Sequence, residues 1–290
     1  MRLFVPILSF TLASAFTGQA ITIRDDVSDA DSQALGNLVG SAVGKLFTQQ
    51  EGVVSGVLID PRFVLTAAHV VRNISGQDAF TFTIGASTYQ SVRHVIHPNN
   101  QTVDDGYDVA VIELDRAVPD VTPAALYTGS AEIGVNATIV GFGLGGTGTA
   151  GATRPEGIRR GATNTIDQTT FLTFTNGRQL FYDFDAPGAP LESRNGTPLP
   201  TTSEGLIAFR DSGGGVFGTI GGQQFLLGIH SFVASVGDND SITFNYGDVG
   251  ASTRVSSNID FISSAIPEPS SALLAGLGLV WLGQRRRIRR

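Results

Sequence analysis

From residue 38 onward the chain is a series of short apolar runs, each broken off by Gly, Asn, Asp or Pro. Short runs rich in β-branched and aromatic residues and ended by turn formers read as strands. Residues 53–59, 63–65, 80–84 and 108–114 form one group of such runs; 136–140, 170–174, 224–230 and 242–246 form a second. Residues 119–130 between the groups read as a connection. The 36 glycines and a charged fraction of 16% fit the same turn-rich, all-β class. Gly/Thr-rich 145–151 reads as a surface loop with little structure of its own, and proline-bearing 186–204 as a second long loop. There are no cysteines, so thiolate metal sites, Cys nucleophiles and disulfides are excluded, and the core alone must hold the fold.

Three segments far apart in the chain carry chemistry. Leu65-Thr66-Ala67-Ala68-His69 ends an apolar run on a histidine. Tyr107-Asp108-Val109-Ala110-Val111-Ile112 opens an apolar run with an aspartate. Asp211-Ser212-Gly213-Gly214-Gly215 sets a serine in a glycine-rich turn. A serine hydroxyl is a weak nucleophile until an imidazole takes its proton, and that imidazole needs a buried acceptor to fix its tautomer. His69, Asp108 and Ser212 are therefore the candidate base, orienting carboxylate and nucleophile. Taken singly, His69 reads as a core histidine and Asp108 as a strand-start cap; the flanking words carry the catalytic reading.

With these segments the chain resembles the trypsin-like (chymotrypsin-fold) serine peptidases over about residues 35–262. Further landmarks follow in the family's order: Ser55-Gly56-Val57-Leu58-Ile59, His97-Pro98, Gly141-Phe142-Gly143, Gly228-Ile229-His230-Ser231-Phe232, and Gly250-Ala251-Ser252-Thr253-Arg254-Val255 followed by Ile259-Asp260-Phe261-Ile262. The resemblance implies one peptidase domain over 21–264. It would hold two six-stranded antiparallel β-barrels, about 38–128 and 135–258, then a short C-terminal helix, with the site between the barrels. It implies an endopeptidase that cleaves protein or peptide substrates through an acyl-enzyme. No cofactor or metal is needed, and a monomer is expected.

The resemblance also assigns roles around the serine. The backbone N–H groups of Ser212 and Arg210 would form the oxyanion hole. The family has glycine at the second position, where a Cβ is disfavoured, so Arg210 leaves the orientation of that peptide open. Asp211 would pair with a new N-terminal amine. The family's Ile-Val-Gly-Gly start is missing, but cleavage after Ala20 would expose Ile21; alternatively Ile21 begins a strand or a loose arm. Leu206, six residues before the nucleophile, falls at the floor of the specificity pocket and offers no acid for Lys or Arg. Ser231, Phe232 and Val233 would bind the substrate backbone as an added strand, with Val233 narrowing the entrance. His230 sits where glutamate-preferring relatives carry a histidine; otherwise it is a packed strand histidine. Small or medium apolar side chains are expected at the cleaved position, with glutamate second.

Both ends carry signals. Arg2, the apolar stretch 3–16 and small residues at Gly18-Gln19-Ala20 read as a secretory signal over 1–20, with Ala13-Ser14-Ala15 a second cleavage site and a buried N-terminal strand the alternative. Over 265–290, Pro267-Glu268-Pro269, the apolar stretch 272–282 and arginines 285–287, 289 and 290 resemble the PEP-CTERM sorting signal of Gram-negative bacteria. That implies an exosortase-type processing enzyme, transient membrane association through the tail, and a secreted or cell-surface protein. The alternative is an ordinary tail anchor, shorter than the about 20 residues of a relaxed span. Setting aside Arg2, the five terminal arginines and Glu268, the 19 basic and 26 acidic residues fall to 13 and 25, a balance of −12. Such a domain repels phosphate backbones, so nucleic acid is not an expected partner. Asn73, Asn136 and Asn195 head Asn-x-Ser/Thr triplets that read as turn asparagines. Asn99, Asn100, Asp104 and Asp105 read as a solvated turn, or as oxygen ligands for calcium without a fixed spacing. Two rival functions stand beside the peptidase. One is a binding protein on the same fold, disabled by Arg210; the other is a surface component defined by its tail.

Overall fold

The strand Phe80–Ile84 (β5) turns Phe80, Phe82 and Ile84 inward and Thr81 and Thr83 outward. That period of two marks a strand with one face on a core. The computed structural model describes residues 21–74, 80–154, 156–188, 196, 199–234 and 244–267. Signal residues 1–20 and the apolar and arginine parts of the tail lie outside the described residues. In the first half, Val43–Thr48 (β2), Gly52–Asp60 (β3), Phe63–Thr66 (β4), β5, Ser87–Ile96 (β6) and Ala110–Leu114 (β7) close into a barrel in the order β2-β3-β4-β7-β6-β5. Leu46, Leu58, Val64, Phe82 and Ile112 share its inner face and fill it.

The second half supplies Asn136–Gly141 (β8), Arg160–Thr165 (β11), Gln179–Asp183 (β12), Gly215–Ile220 (β14), Gln223–Ala234 (β15) and Val249–Arg254 (β16). They form an antiparallel six-stranded sheet, β11-β8-β14-β15-β16-β12. Its two edge strands curl toward one another, and a side chain bridges them: Asn164 Nδ2 donates to Asp183 O at 2.6 Å. The expected all-β class is therefore found as one closed barrel and one rolled sheet, with the short C-terminal helix at Ile259–Ala265 (α3). Among the described residues, no helix is long and apolar enough to cross a membrane.

Three local expectations need correction. Residues 145–151 are not an unstructured loop: Gly145–Thr147 (β9) and Gly151–Arg154 (β10) pair with each other. β9 also runs parallel to Ile21–Ile23 (β1), whose other edge meets Gly205–Leu206 (β13), in a four-stranded sheet β10-β9-β1-β13. The glycines there allow close approach, since a Cβ on Gly146 would lie 1.7 Å from Gly151 O. Residues 170–174 are a tight turn, with Phe171 and Phe174 exchanging both backbone bonds at 2.8–2.9 Å. The described part of 242–246 holds no strand. A helix, Asp29–Val39 (α1), was not anticipated. Ser28 caps it by accepting Asp31 N–H at 3.1 Å, and its buried face is Ser32 and Gly36, pressed onto the Arg160–Gly161 backbone.

The second half buries carboxylates behind β13. Glu204 is 2% exposed and accepts Asp185 N–H at 3.0 Å. Burial, then the charge of Asp183, pushes Glu204 up to about 7; burial and Asp183 raise Asp185 likewise to about 7. The folded chain thus holds protons that the unfolded chain releases at ordinary carboxylate pH. The associated stability is full in acid and is lost as pH rises toward 7. The urea midpoint is therefore expected to fall between pH 5 and pH 8, by on the order of 1–3 kcal/mol in stability. Glu204→Gln should shrink that difference; an unchanged pH dependence in the variant contradicts the assignment.

Candidate active site

β4 leads directly into a single helical turn, Ala68–Val71 (α2), and this delivers His69 to the gap between the two halves. Asp108 precedes β7 and is fully buried. His69 N–H donates to Asp108 Oδ1 at 2.8 Å, and His69 Nδ1 lies 2.7 Å from Asp108 Oδ2. One carboxylate thus grips the histidine by backbone and ring together. With Nδ1–H on Asp108, Nε2 is left as the acceptor, 3.0 Å from Ser212 Oγ.

The carboxylate has a further partner that the sequence reading placed in the substrate strand only. Ser231 is the extra residue of a bulge: His230 pairs with Ser252 and Phe232 with Ala251, leaving Ser231 unpaired in the ladder. A bulge re-aims a side chain, and here the Ser231 hydroxyl donates to Asp108 Oδ2. Thr253 Oγ1 donates to Asp108 O at 3.2 Å.

The serine turn is fixed by backbone bonds from both halves. Ser55 N–H donates to Ser212 O at 3.0 Å, and Gly213 N–H to His230 O at 3.0 Å. Gly213 has φ 84°, and a Cβ there would sit 2.1 Å from Thr66 Oγ1 and 2.2 Å from Ser55 O. Only glycine meets both demands. The Asp211 carboxylate, fully buried, accepts Gly143 N–H and Ala208 N–H, each at 2.8 Å, and Ile21 N–H at 3.3 Å. Burial is the largest influence on it and pushes it up to about 7.

Arg210 adopts φ 73°, the left-handed region. A residue with a Cβ reaches it at a cost of about 1–2 kcal/mol relative to the right-handed form. The orientation of the preceding peptide is visible from its carbonyl: Phe209 O accepts Leu144 N–H at 2.7 Å, so the trans N–H of Arg210 points the opposite way. Among the described residues, neither Arg210 N–H nor Ser212 N–H has an acceptor. Two unspent donors flank the serine.

The pocket residues divide. Leu206 lies on β13 opposite Thr22, fully buried, and meets the Tyr182 ring beside Gly250. Tyr182, which the sequence reading did not name, pairs with Gly250, as does Val233 on the strand's other side. His230 is fully buried, with Nδ1 3.2 Å from Ser252 Oγ, which in turn lies 3.0 Å from Tyr182 OH. Burial pushes His230 down to about 3, so the imidazole is neutral from pH 5 to 9. Of the two readings of His230, its burial fits the packed strand histidine. Phe232 is partly buried against Phe174, ring centroids 5.4 Å apart. Asp105 spends its oxygens on its own turn, accepting Thr102 N–H at 3.0 Å and Tyr107 N–H at 2.8 Å. Among the described residues, no group of acidic or histidine side chains is arranged to hold a metal ion.

Comparison with known proteins places this geometry in context. The family described as Trypsin matches residues 40–262. Chymotrypsin-like elastase family member 1 of Bos taurus is 30% identical over 227 residues, covering 73% of this chain and 77% of the bovine protein.

Proposed function

Because the chain belongs to the trypsin family of serine peptidases, we propose that it is an endopeptidase whose working groups are His69, Asp108 and Ser212. The observation that carries this reading is the unbroken line from Asp108 through His69 to Ser212, at 2.7 and 3.0 Å. His69 Nε2 takes the Ser212 proton as Oγ attacks the scissile carbonyl, then returns it to the leaving amine; water later releases the acyl group by the same route. Asp108 holds the tautomer and stabilises the imidazolium, and the Ser231 hydroxyl fixes Asp108. The N–H groups of Arg210 and Ser212 receive the oxyanion. A fluorophosphonate probe should label Ser212; a protein that is folded and unlabelled is instead the binding protein of the rival reading. Arg210's left-handed φ favours the enzyme, because the donor is oriented for use.

For substrate, the reading is a small or medium apolar side chain at the cleaved position. Leu206 and the Tyr182 ring present no charge, and an unpaired ammonium or carboxylate in such a site is costly. The neutral His230 removes the cation on which a glutamate preference would depend. Matched Ala, Val, Leu, Glu and Arg substrates should rank Ala, Val or Leu first, with that ranking unchanged from pH 5 to 9. A dominant Arg substrate would mean that Leu206 does not form the floor; a Glu preference lost with rising pH would restore a charged His230. The charged-then-apolar start and the Pro-Glu-Pro tail support export, with a secreted or cell-surface destination.

A further inference from the structure

Arg210 stands where the resemblance expects glycine, yet it keeps a glycine's backbone, φ 73°. The contacts of its side chain explain how. Arg210 Nη1 is paired with Glu156 Oε1, and the guanidinium also lies 5.9 Å from the centre of the Phe209 ring. The two charged side chains are 32% and 25% exposed, so water screens the pair less than it would a fully exposed one. Glu156 is itself held. The next residue, Gly157, donates its N–H to Phe142 O at 2.8 Å. One residue on, Gly143 N–H holds Asp211 Oδ1 at 2.8 Å, and Leu144 N–H holds Phe209 O at 2.7 Å. The segment 142–144 therefore carries the turn of Glu156 on one side and the peptide before Arg210 on the other.

We infer that Glu156 is a positioning residue for the oxyanion hole: by anchoring the Arg210 guanidinium it keeps the Phe209–Arg210 peptide turned with its N–H toward the reacting carbonyl. The competing arrangement is a flipped peptide in which Arg210 relaxes to negative φ and the donor leaves the site. Strain at a left-handed arginine drives toward the flip, and the Glu156 pair opposes it. A fully lost oxyanion donor lowers turnover about 10²–10³-fold, so even a partial shift toward the flip is measurable. The inference rests on the peptidase reading of this site.

Glu156→Ala is expected to lower kcat about tenfold with KM changed less than about twofold, since the donor acts on charge that develops in the transition state. Glu156→Gln keeps an acceptor and should recover part of the loss. With Arg210→Gly as background, where left-handed φ carries no Cβ strain, Glu156→Ala should change kcat less than about twofold. Crystal structures should show Arg210 left-handed in the wild type and out of that region in Glu156→Ala. An unchanged kcat in Glu156→Ala, an equal loss in the Arg210→Gly background, or Arg210 still left-handed in the Glu156→Ala crystal each overturns the inference. Failure of the peptidase reading is separate: the wild type would then neither turn over peptides nor take the fluorophosphonate. The φ of Arg210 in the two crystals would still decide the role of Glu156.

Discussion

Ser212→Ala is expected to reduce kcat by about 10⁴–10⁶-fold, to abolish fluorophosphonate labelling, and to leave folding unchanged. In the proposed mechanism the three groups act as one unit, and the size follows from that. Among the described residues, His69 Nε2 meets one hydroxyl, Ser212 Oγ at 3.0 Å, and without it the histidine has no proton to take. The remaining rate comes from the oxyanion donors and from substrate binding. Folding should survive because Ser212 contributes its backbone, not its hydroxyl, to the turn: Ser55 N–H bonds to the Ser212 carbonyl, and Gly213 and Gly214 carry the other bonds. The measurement is turnover of an apolar peptide substrate, beside thermal melting of both proteins. Wild-type turnover in Ser212→Ala would remove Ser212 as the nucleophile.

The parts of the site that were legible in the sequence are those written in consecutive residues. His69 follows a strand by two alanines, Asp108 precedes one, and the glycine after Ser212 is required by φ 84° and by the 2.1 Å approach to Thr66. What was not legible depends on partners distant in the chain. The Ser231 hydroxyl reaches Asp108 only because the ladder slips by one residue at a bulge, and nothing in Gly228-Ile229-His230-Ser231-Phe232 marks the slip. Glu156 sits in a turn with no motif, 54 residues from the arginine it holds. Glycine misled the reading at 145–151, because the same composition serves a mobile loop and a strand that must approach its neighbour closely. Helix α1 escaped because its buried face is Ser32 and Gly36 rather than apolar; Ser28 with Asp31 three residues on was its one available signal.

The second large effect concerns the first described residue. Ile21 is fully buried, and its backbone nitrogen lies 3.3 Å from Oδ2 of Asp211, the residue before Ser212. We propose that removal of residues 1–20 converts this nitrogen to an ammonium and so activates the enzyme. The electrostatics favour the exchange. Burial pushes the Asp211 carboxyl up to about 7, and a cation beside it restores the ionised form. The ionised carboxylate then holds Gly143 N–H and Ala208 N–H more firmly, and with them the turn that presents Arg210 and Ser212. Breaking one side of a buried pair costs about 3–5 kcal/mol, so Asp211→Asn, or a protein in which Ala20 is retained, should lose activity by about 10²-fold or more. The pH response has a definite sign. An α-amino group ordinarily loses its proton near pH 8, so activity should hold through neutral pH and fall as the ammonium is lost at higher pH. N-terminal sequencing of the purified active protein should begin at Ile21. Full activity in a protein that begins at Phe16, or at any residue beyond 35, would show that the Ile21–Asp211 contact is structural and that the nucleophile turn forms without it.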